Sequence, residues 1–130
     1  MLFFGHRFLE SEVFYHISDI DAVVKTAPGG TIYLEFAEEN LDIIDYLRAN
    51  EIAFVLHVEN ITELLYAHAL GAKYVTVEKE LAKTAQKIAE EYLFDTKILA
   101  HIQNEEEIEE LAFEGIDGVI FSTAIVKVPT

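Results

Sequence analysis

Two histidines recur in the same local pattern along this 130-residue chain. His57 and His101 lie 44 residues apart, and each is followed three residues later by an asparagine, Asn60 or Asn104. A fixed period of strand, polar loop and helix is typical of a chain built from βα units. An imidazole can act as a general acid or base or bind a transition metal. The repeated histidine therefore marks a place where such a fold could carry chemistry.

Alternation of side chains along the predicted strands brings a carboxylate to the two histidines. It predicts that Glu35, His57 and His101 occupy the same level on three strands and point into one pocket. Two imidazoles and a carboxylate suit a divalent transition metal, and Glu59 or Gln103 would supply a further oxygen or a hydrogen-bond partner. The same three groups could instead act as general acid and base without a metal. In the third alternative both histidines are structural and hydrogen-bonded to polar neighbours.

Further candidate ligand-binding residues follow the first and last predicted strands. In a parallel array these strands open to the same rim as the histidines, where βα folds bind ligands. His6 and Arg7 lie there, and the arginine could clamp the phosphate or carboxylate of a small anionic ligand. Alternatively, Arg7 pairs with Glu10 or Glu12. Ser122 could offer its hydroxyl to an anion or cap a helix.

Other polar features are predicted to have no chemical role. His68 falls inside a helical pattern and is expected at the surface, and His16 has no patterned context, so both are predicted to be structural. Gly29 and Gly30 precede a strand instead of linking a strand to a helix, which is the wrong context for a phosphate-binding loop. A phosphoreceiver is disfavoured because the predicted strand ends carry no aspartate for phosphorylation.

The composition indicates a folded and strongly acidic protein. Apolar residues make up 52% of the sequence, which is enough for the core of a single α/β domain over residues 1–130. The formal net charge of −15 repels phosphate backbones and anionic membranes, so neither nucleic acid nor a membrane is an expected partner. Cysteine is absent, which excludes disulfides and thiolate chemistry. With no signal-like or membrane-spanning run, the sequence predicts a cytoplasmic protein.

The secondary-structure pattern predicts alternating strands and helices. Five short apolar runs begin 20 to 24 residues apart, which leaves room for one helix in each gap. A first strand over 2–9 joins them, and residues 10–17 fit either a short strand or a loop. The expected architecture is therefore five or six mainly parallel strands, either half-barrel-like or open and flavodoxin-like. The five runs are Thr31 to Phe36, Ala53 to Val58, Lys73 to Glu78, Lys97 to Ile102 and Gly118 to Thr123.

Helix boundaries are also indicated by residue type. Asparagines are expected as N-caps and an asparagine or glycine as the left-handed stop. A helix capped around Ser18 should run to about Lys25. The predicted N-caps are Asn40, Asn60 and Asn104, and the predicted stops are Asn50, Gly71 and Gly115.

One face of the predicted sheet needs a cover. A half barrel exposes its inner face, and the side chains predicted there are too apolar for water. Either helices from the N-terminal segment or a second chain must cover them, and the second option favours a homodimer. The apolar residues assigned to this face are Tyr33, Val55, Val75, Val77, Leu99 and Ile120.

The C-terminal stretch from Ile98 to Ile125, ILAHIQNEEEIEELAFEGIDGVIFSTAI, resembles the closing βαβ segment of phosphate-handling TIM barrels. Indole-glycerol-phosphate synthases and glycerophosphodiester phosphodiesterases look similar here. Near the start, Gly5-His6-Arg7 is similar to the opening histidine-arginine motif of the phosphodiesterases, and the strand around Glu35 is similar to their acidic metal-binding strand. The resemblance implies a metal-assisted or acid–base phosphodiester hydrolase with His6, Arg7 and Glu35 in the site.

Two classes of function follow. The first is an enzyme or a metal-dependent site at the C-terminal rim, with a divalent metal as the candidate cofactor and a phosphoester as the candidate substrate. The second is a non-catalytic module that binds a small ligand or a protein, or serves regulation. Direct metal binding would favour the enzyme, whereas a fully packed rim would favour the module.

Overall fold

The protein is described by a computed structural model that covers residues 1–129. It is a small α/β domain with one eight-stranded sheet, in which every pair of neighbouring strands is parallel. The alternating βα units are therefore confirmed. The strands are β1 (Leu2–Phe4), β2 (Phe14–His16), β3 (Thr31–Glu35), β4 (Phe54–His57), β5 (Tyr74–Glu78), β6 (Lys97–His101), β7 (Gly118–Ile120) and β8 (Ile125–Lys127).

The strand count is higher than the five or six predicted from the sequence. Of the two alternatives for residues 10–17, the strand is confirmed as β2, whereas β8 has no counterpart in the prediction; each is only three residues long. Three residues are too few to show a period of two, so hydrophobic alternation cannot identify them. The first strand is also shorter than predicted, because it ends at Phe4 and Gly5 adopts a positive φ of 79°.

The order of the strands decides between the two predicted architectures. Along the sheet it is β1-β7-β6-β5-β4-β3-β2-β8, so the six strands from β2 to β7 follow one another in the order of the chain. A flavodoxin-like sheet would reverse direction at a switch point, whereas a barrel-like sheet winds in one direction. The half-barrel alternative is therefore the correct one.

The sheet curls until its two ends approach each other. The rings of Phe4 on β1 and Phe14 on β2 lie 5.0 Å apart, although these strands belong to opposite ends of the sheet. The backbone N–H of Phe121 donates to the carbonyl of Phe4 at 2.9 Å. The segment 118–127 pairs with β1 and β6 at its start and with β2 at its end. One short stretch of chain thus links the two ends of the sheet.

Four α-helices follow strands β3 to β6 and cover the outer face of the sheet. Their apolar faces and the outward side chains of the strands form the larger core, which includes Leu34, Leu56, Leu64, Ile98 and Leu111. The helices are α1 (Leu41–Ala49), α2 (Ile61–Ala69), α3 (Lys79–Glu91) and α4 (Glu106–Phe113), with 3-10 helices at Ile20–Lys25, Glu38–Asn40 and Ser122–Ala124.

The predicted helix boundaries are partly confirmed. The side chain of Asn60 accepts the backbone N–H of Glu63 at 2.9 Å and caps α2, and Gly71 and Gly115 have positive φ. Asn40 and Asn104 precede helices without capping them through their side chains. At the end of α1 the left-handed residue is Glu51, with a φ of 54°, and not Asn50.

A second, smaller core fills the inside of the curl. It contains Phe4, Phe14, Tyr33, Val55, Leu99, Ile120 and Ala124. The chain's own β1 and β2 therefore cover the inner face, which removes the reason for expecting a second chain there. A homodimer has no support from this face and stays a prediction.

The prediction of which side chains of β5 point inward is wrong, because the two faces of this strand are exchanged. Val75 and Val77 belong to the outer core, whereas Tyr74 packs against the inner cluster and Thr76 lies level with His57. All three residues of the run Val75-Thr76-Val77 are β-branched, so residue type does not show which of them point inward and which point outward. Consequently Thr76, which sequence reasoning assigned no role, is the inward polar side chain of this strand.

Candidate functional site

All eight strands run in one direction, so their carboxyl ends meet at a single rim. His16, His57 and His101 end β2, β4 and β6, which are alternate strands of the sheet. In barrel-like folds, inward side chains from alternate strands form layers. His16 therefore belongs to this rim, where its ring contacts Tyr33 edge-on at 5.2 Å between ring centroids.

Four side chains form a hydrogen-bonded group, here called the mouth cluster: Tyr33, His57, Thr76 and His101. The Tyr33 hydroxyl lies 3.3 Å from Nε2 of His101 and 3.4 Å from the Thr76 hydroxyl. The Thr76 hydroxyl lies 2.9 Å from Nδ1 of His57, and the two imidazole centroids are 5.1 Å apart. Sequence analysis expected His57 and His101 to share one site, and the structure places their rings side by side.

The environment of the mouth cluster holds His101 and Tyr33 in their uncharged forms. Burial, reinforced by the neighbouring His57, lowers the pKa of His101 to about 4. Burial raises the pKa of the Tyr33 hydroxyl to about 12, and the carboxylates of Glu35, Glu59 and Glu78 act in the same direction. At neutral pH His101 is thus a neutral imidazole with one donor and one acceptor.

The predicted common level of Glu35, His57 and His101 is only half correct. Glu35 is the register partner of His57, but His101 is level with Glu78, two residues beyond the partner of His57 on β5. Strands of a curled sheet must be staggered against one another, and alternation within single strands does not reveal that stagger. The carboxylate of Glu35 lies at the exposed end of β3.

The predicted metal ligands do not form a ligand set. Within residues 1–129 no group of three or more histidine, aspartate or glutamate side chains could hold a metal ion. Both ring nitrogens of His57 already have partners, because Nδ1 lies beside Thr76 and Nε2 lies 3.3 Å from a carboxylate oxygen of Glu59. Glu59 therefore contacts His57 directly and Glu35 does not join the two imidazoles.

His57 contacts the Glu59 carboxylate on one side and the Thr76 hydroxyl on the other. This arrangement of an acid, a base and a hydroxyl resembles a nucleophilic triad. Thr76 is, however, fully buried at 0% exposure, and its hydroxyl is shared between His57 and Tyr33. A nucleophile must reach the substrate, so this hydroxyl can orient His57 but cannot attack a bound molecule.

A cavity of about 400 Å³ opens beside His101 at the rim. Its walls include Glu78, Lys79, Gln103, Asn104 and Ser122. The predicted residues Gln103 and Ser122 are thus brought to His101. The Lys79 ammonium is balanced by Glu107 at 3.6 Å and Glu110 at 3.2 Å, so its charge is already neutralised.

A second cavity of about 470 Å³ lies along the same rim and contains His6 and Arg7. The Arg7 guanidinium binds the Glu105 carboxylate through Nε at 2.8 Å and Nη2 at 3.3 Å. The predicted partners Glu10 and Glu12 are wrong, because β1 pairs with β7 and so lies only one strand away from β6 and the loop that follows it. Glu12 instead accepts a hydrogen bond from Thr31, near the amino ends of the strands.

Sequence reasoning gave no site role to several residues of this rim, among them Tyr33, which it assigned to the apolar inner face, and Thr76, His16 and Glu105. Thr76 was hidden by the ambiguous alternation of β5, His16 by the shortness of β2, and Glu105 by its position within an acidic run. Only the identity of Thr76 as a hydroxyl between two valines was a usable signal. His68 was expected at the surface, and it is half-buried, stacked on Phe94 with centroids 3.8 Å apart.

The fold and the site define an α/β protein with a curled parallel sheet and a polar mouth at the carboxyl ends of its strands. Comparison with models of protein families finds no match to the chain, and comparison with curated proteins finds no significant relative. Within residues 1–129 no helix is both long enough and apolar enough to cross a membrane. The resemblance to phosphate-handling barrels stays a prediction, and only the geometry of the mouth bears on function.

Proposed function

We propose that this protein is a non-catalytic module that binds a small, hydroxyl-rich, uncharged molecule in the cavity beside His101. The observation that carries the proposal is the mouth cluster, whose four hydrogen-bonded polar side chains lie at the carboxyl ends of the strands beside the inner core. Polar groups inside a protein are costly unless they are hydrogen-bonded, and an all-apolar interior would be simpler to pack. Their position matches the place where barrel-like folds bind ligands.

The lining of the cavity indicates the chemistry of the ligand. Gln103 and Asn104 supply amide groups, Ser122 supplies a hydroxyl, and neutral His101 offers its Nδ1, since its Nε2 lies beside the Tyr33 hydroxyl. Such mixed donors and acceptors complement the hydroxyls of a polyol or sugar. An anion is disfavoured in this cavity because Glu78 and Glu107 line it and Lys79 is already paired.

The test is a ligand-observed NMR screen of small polyols, monosaccharides and amides against the wild-type protein. A binder should lose at least about tenfold in affinity when His101 is replaced by Gln, because a cavity hydrogen bond is removed. His68→Gln is the matched control, since it changes another half-buried histidine outside the rim. Equal loss in both variants, or no binder among these compounds, would contradict the proposal.

A second candidate is acid–base hydrolysis of a phosphoester at the same rim. It is favoured by the two imidazoles at 5.1 Å, of which His101 is kept neutral and can accept a proton. The phosphodiesterase resemblance implies that His6, Arg7 and Glu35 share one site, but His6 and Arg7 are engaged with Glu105, and Glu35 lies at the exposed end of β3. Hydrolysis of bis(p-nitrophenyl) phosphate that disappears in both His57→Ala and His101→Ala would establish this alternative over the first.

A further inference from the structure

The Glu105 carboxylate is bound at the rim by two basic side chains, those of Arg7 and His6. Arg7 grips it through two nitrogens, at 2.8 and 3.3 Å, in the fork geometry that suits carboxylate or phosphate oxygens. His6 adds a third donor, because its Nε2 lies 3.3 Å from the same carboxylate. Two side chains from the loop after β1 therefore converge on one acidic group from the loop after β6.

His6 is fixed as a donor toward this position. The backbone N–H of Phe8 donates to its Nδ1 at 3.1 Å, so a neutral imidazole must carry its proton on Nε2, which faces Glu105. The His6 side chain is only 9% exposed and its ring packs against Phe3, Phe8 and Phe121. Packing and hydrogen bonding thus preorganise the donor.

Of the three side chains, packing holds only His6, because the side chains of Glu105 and Arg7 are 42% and 69% exposed. Glu105 belongs to the polar loop that leads into α4. The cavity of about 470 Å³ lies against His6, Arg7 and Glu105 and also contains Ser122 and Thr123. An external anion therefore has space to approach the donors if the Glu105 side chain rotates toward solvent.

We infer that His6 and Arg7 form an oxyanion-binding site that Glu105 fills as an internal competitor. The ligand group is a phosphate or a carboxylate, bound by the Arg7 fork and by Nε2–H of His6. An intramolecular group on a short loop competes at an effective concentration of about the millimolar range, so wild-type protein should bind such anions only weakly. This site lies in a neighbouring cavity that shares Gln103, Asn104 and Ser122 with the one beside His101, and the inference goes beyond the proposed function.

The experiment is an NMR titration of the full chain with sodium phosphate at constant ionic strength, observing the side-chain signals of His6 and Arg7. Glu105→Gln removes the competing charge and should bind phosphate about tenfold or more tightly than wild type. Glu106→Gln is the matched control, because it neutralises the adjacent glutamate of the same cavity without touching Arg7. Titration with sodium acetate in parallel distinguishes a phosphate from a carboxylate as the preferred group.

Three results would overturn the inference. Equal gains in Glu105→Gln and Glu106→Gln would mean that phosphate responds only to net charge. No gain in a folded Glu105→Gln protein would mean that His6 and Arg7 do not bind anions. A gain that persists in the double variant Arg7→Gln, Glu105→Gln would place the anion elsewhere. None of these outcomes depends on binding at the cavity beside His101, so the two proposals can fail separately.

Discussion

The Nδ1 atom of His57 lies 2.9 Å from the hydroxyl oxygen of Thr76, a side chain with no exposure to solvent. The same hydroxyl lies 3.4 Å from that of Tyr33, so Thr76 joins a histidine on β4 to a tyrosine on β3. The orientation of the His57 ring is consequently set from inside the sheet. The mouth cluster is therefore one connected unit in which each member positions the next.

Replacing Thr76 by Val should lower the free energy of unfolding by about 1–3 kcal/mol, although the shape of the side chain is nearly unchanged. The hydroxyl would be lost while its buried partners on Tyr33 and His57 remain without it. Urea denaturation measures the change. Thr62→Val, at an exposed position of α2, should change stability by no more than about 0.5 kcal/mol. A change in Thr76→Val as small as this would show that the hydroxyl does not hold the cluster together.

Acid should destabilise the protein through His101. Its pKa is about 4 in the folded protein, against the ordinary histidine value of 6.5, because burial and His57 disfavour the charged ring. Between pH 4 and pH 6.5 the unfolded chain binds more protons than the folded protein does. The free energy of unfolding is therefore highest above pH 6.5 and falls as the pH drops toward 4. The loss at pH 4 should reach up to about 3 kcal/mol.

Urea denaturation at several pH values measures this slope, and His101→Gln should remove most of it. His16 acts in the same direction, since burial lowers its pKa against the opposing charge of Glu35, so a residual slope is expected in the variant. An NMR titration should show the His101 ring charging near pH 4. Charging of this ring above pH 6 would mean that it is not buried as described.

Alkaline conditions should destabilise the protein through Tyr33. Burial raises its pKa to about 12 from 10.0, so between these values the unfolded chain releases a proton that the folded protein keeps. Unfolding free energy therefore decreases as the pH rises from 10 toward 12. Ultraviolet absorbance should show one phenol that ionises last, and Tyr33→Phe should remove it. Tyr92→Phe, at a position 67% exposed, should leave that last phenol in place.

Much of the fold could be predicted because its regular elements repeat. Strands β3 to β6 lie within one or two residues of their predicted bounds, and Gly71 and Gly115 stop their helices as expected. These elements carry local signals, namely hydrophobic period and boundary residues, that do not depend on the rest of the chain. The choice between a half barrel and an open sheet depends on strand order, which no local signal encodes.

The sequence could predict which residues lie at the strand ends of the candidate site. It could not predict contacts that depend on how the strands are arranged in the sheet. His57 and His101 could be assigned to one rim because parallel strands align their carboxyl ends. The stagger that places His101 level with Glu78 arises from the curl of the whole sheet. The Arg7 to Glu105 contact joins residues far apart in sequence, which the pairing of β1 with β7, next to β6, brings together. Such contacts cannot be derived from spacing along the chain.

Curling itself can be tested at Gly5, where the loop after β1 meets the 3-10 helix at Ser122–Ala124. A β-carbon at Gly5 would lie 2.7 Å from the Thr123 hydroxyl oxygen and 2.9 Å from the Ala124 nitrogen, and the φ of 79° already strains an L residue. Gly29 has a similar φ of 77° but nothing within 4 Å of the added carbon. Gly5→Ala should therefore cost about 3 kcal/mol or more, and Gly29→Ala only about 1–2 kcal/mol.

Urea denaturation of the two variants separates backbone strain from steric contact, because both carry the strain and only one carries the contact. The Thr123 hydroxyl also donates to the carbonyl of Gly5 at 2.9 Å, so displacing this residue breaks a bond between the two ends of the sheet. Equal destabilisation by both alanines would mean that the ends of the sheet are not held against each other. A clear excess at Gly5 supports a curl that presents His6 and Arg7 to Glu105, since these residues follow Gly5 directly.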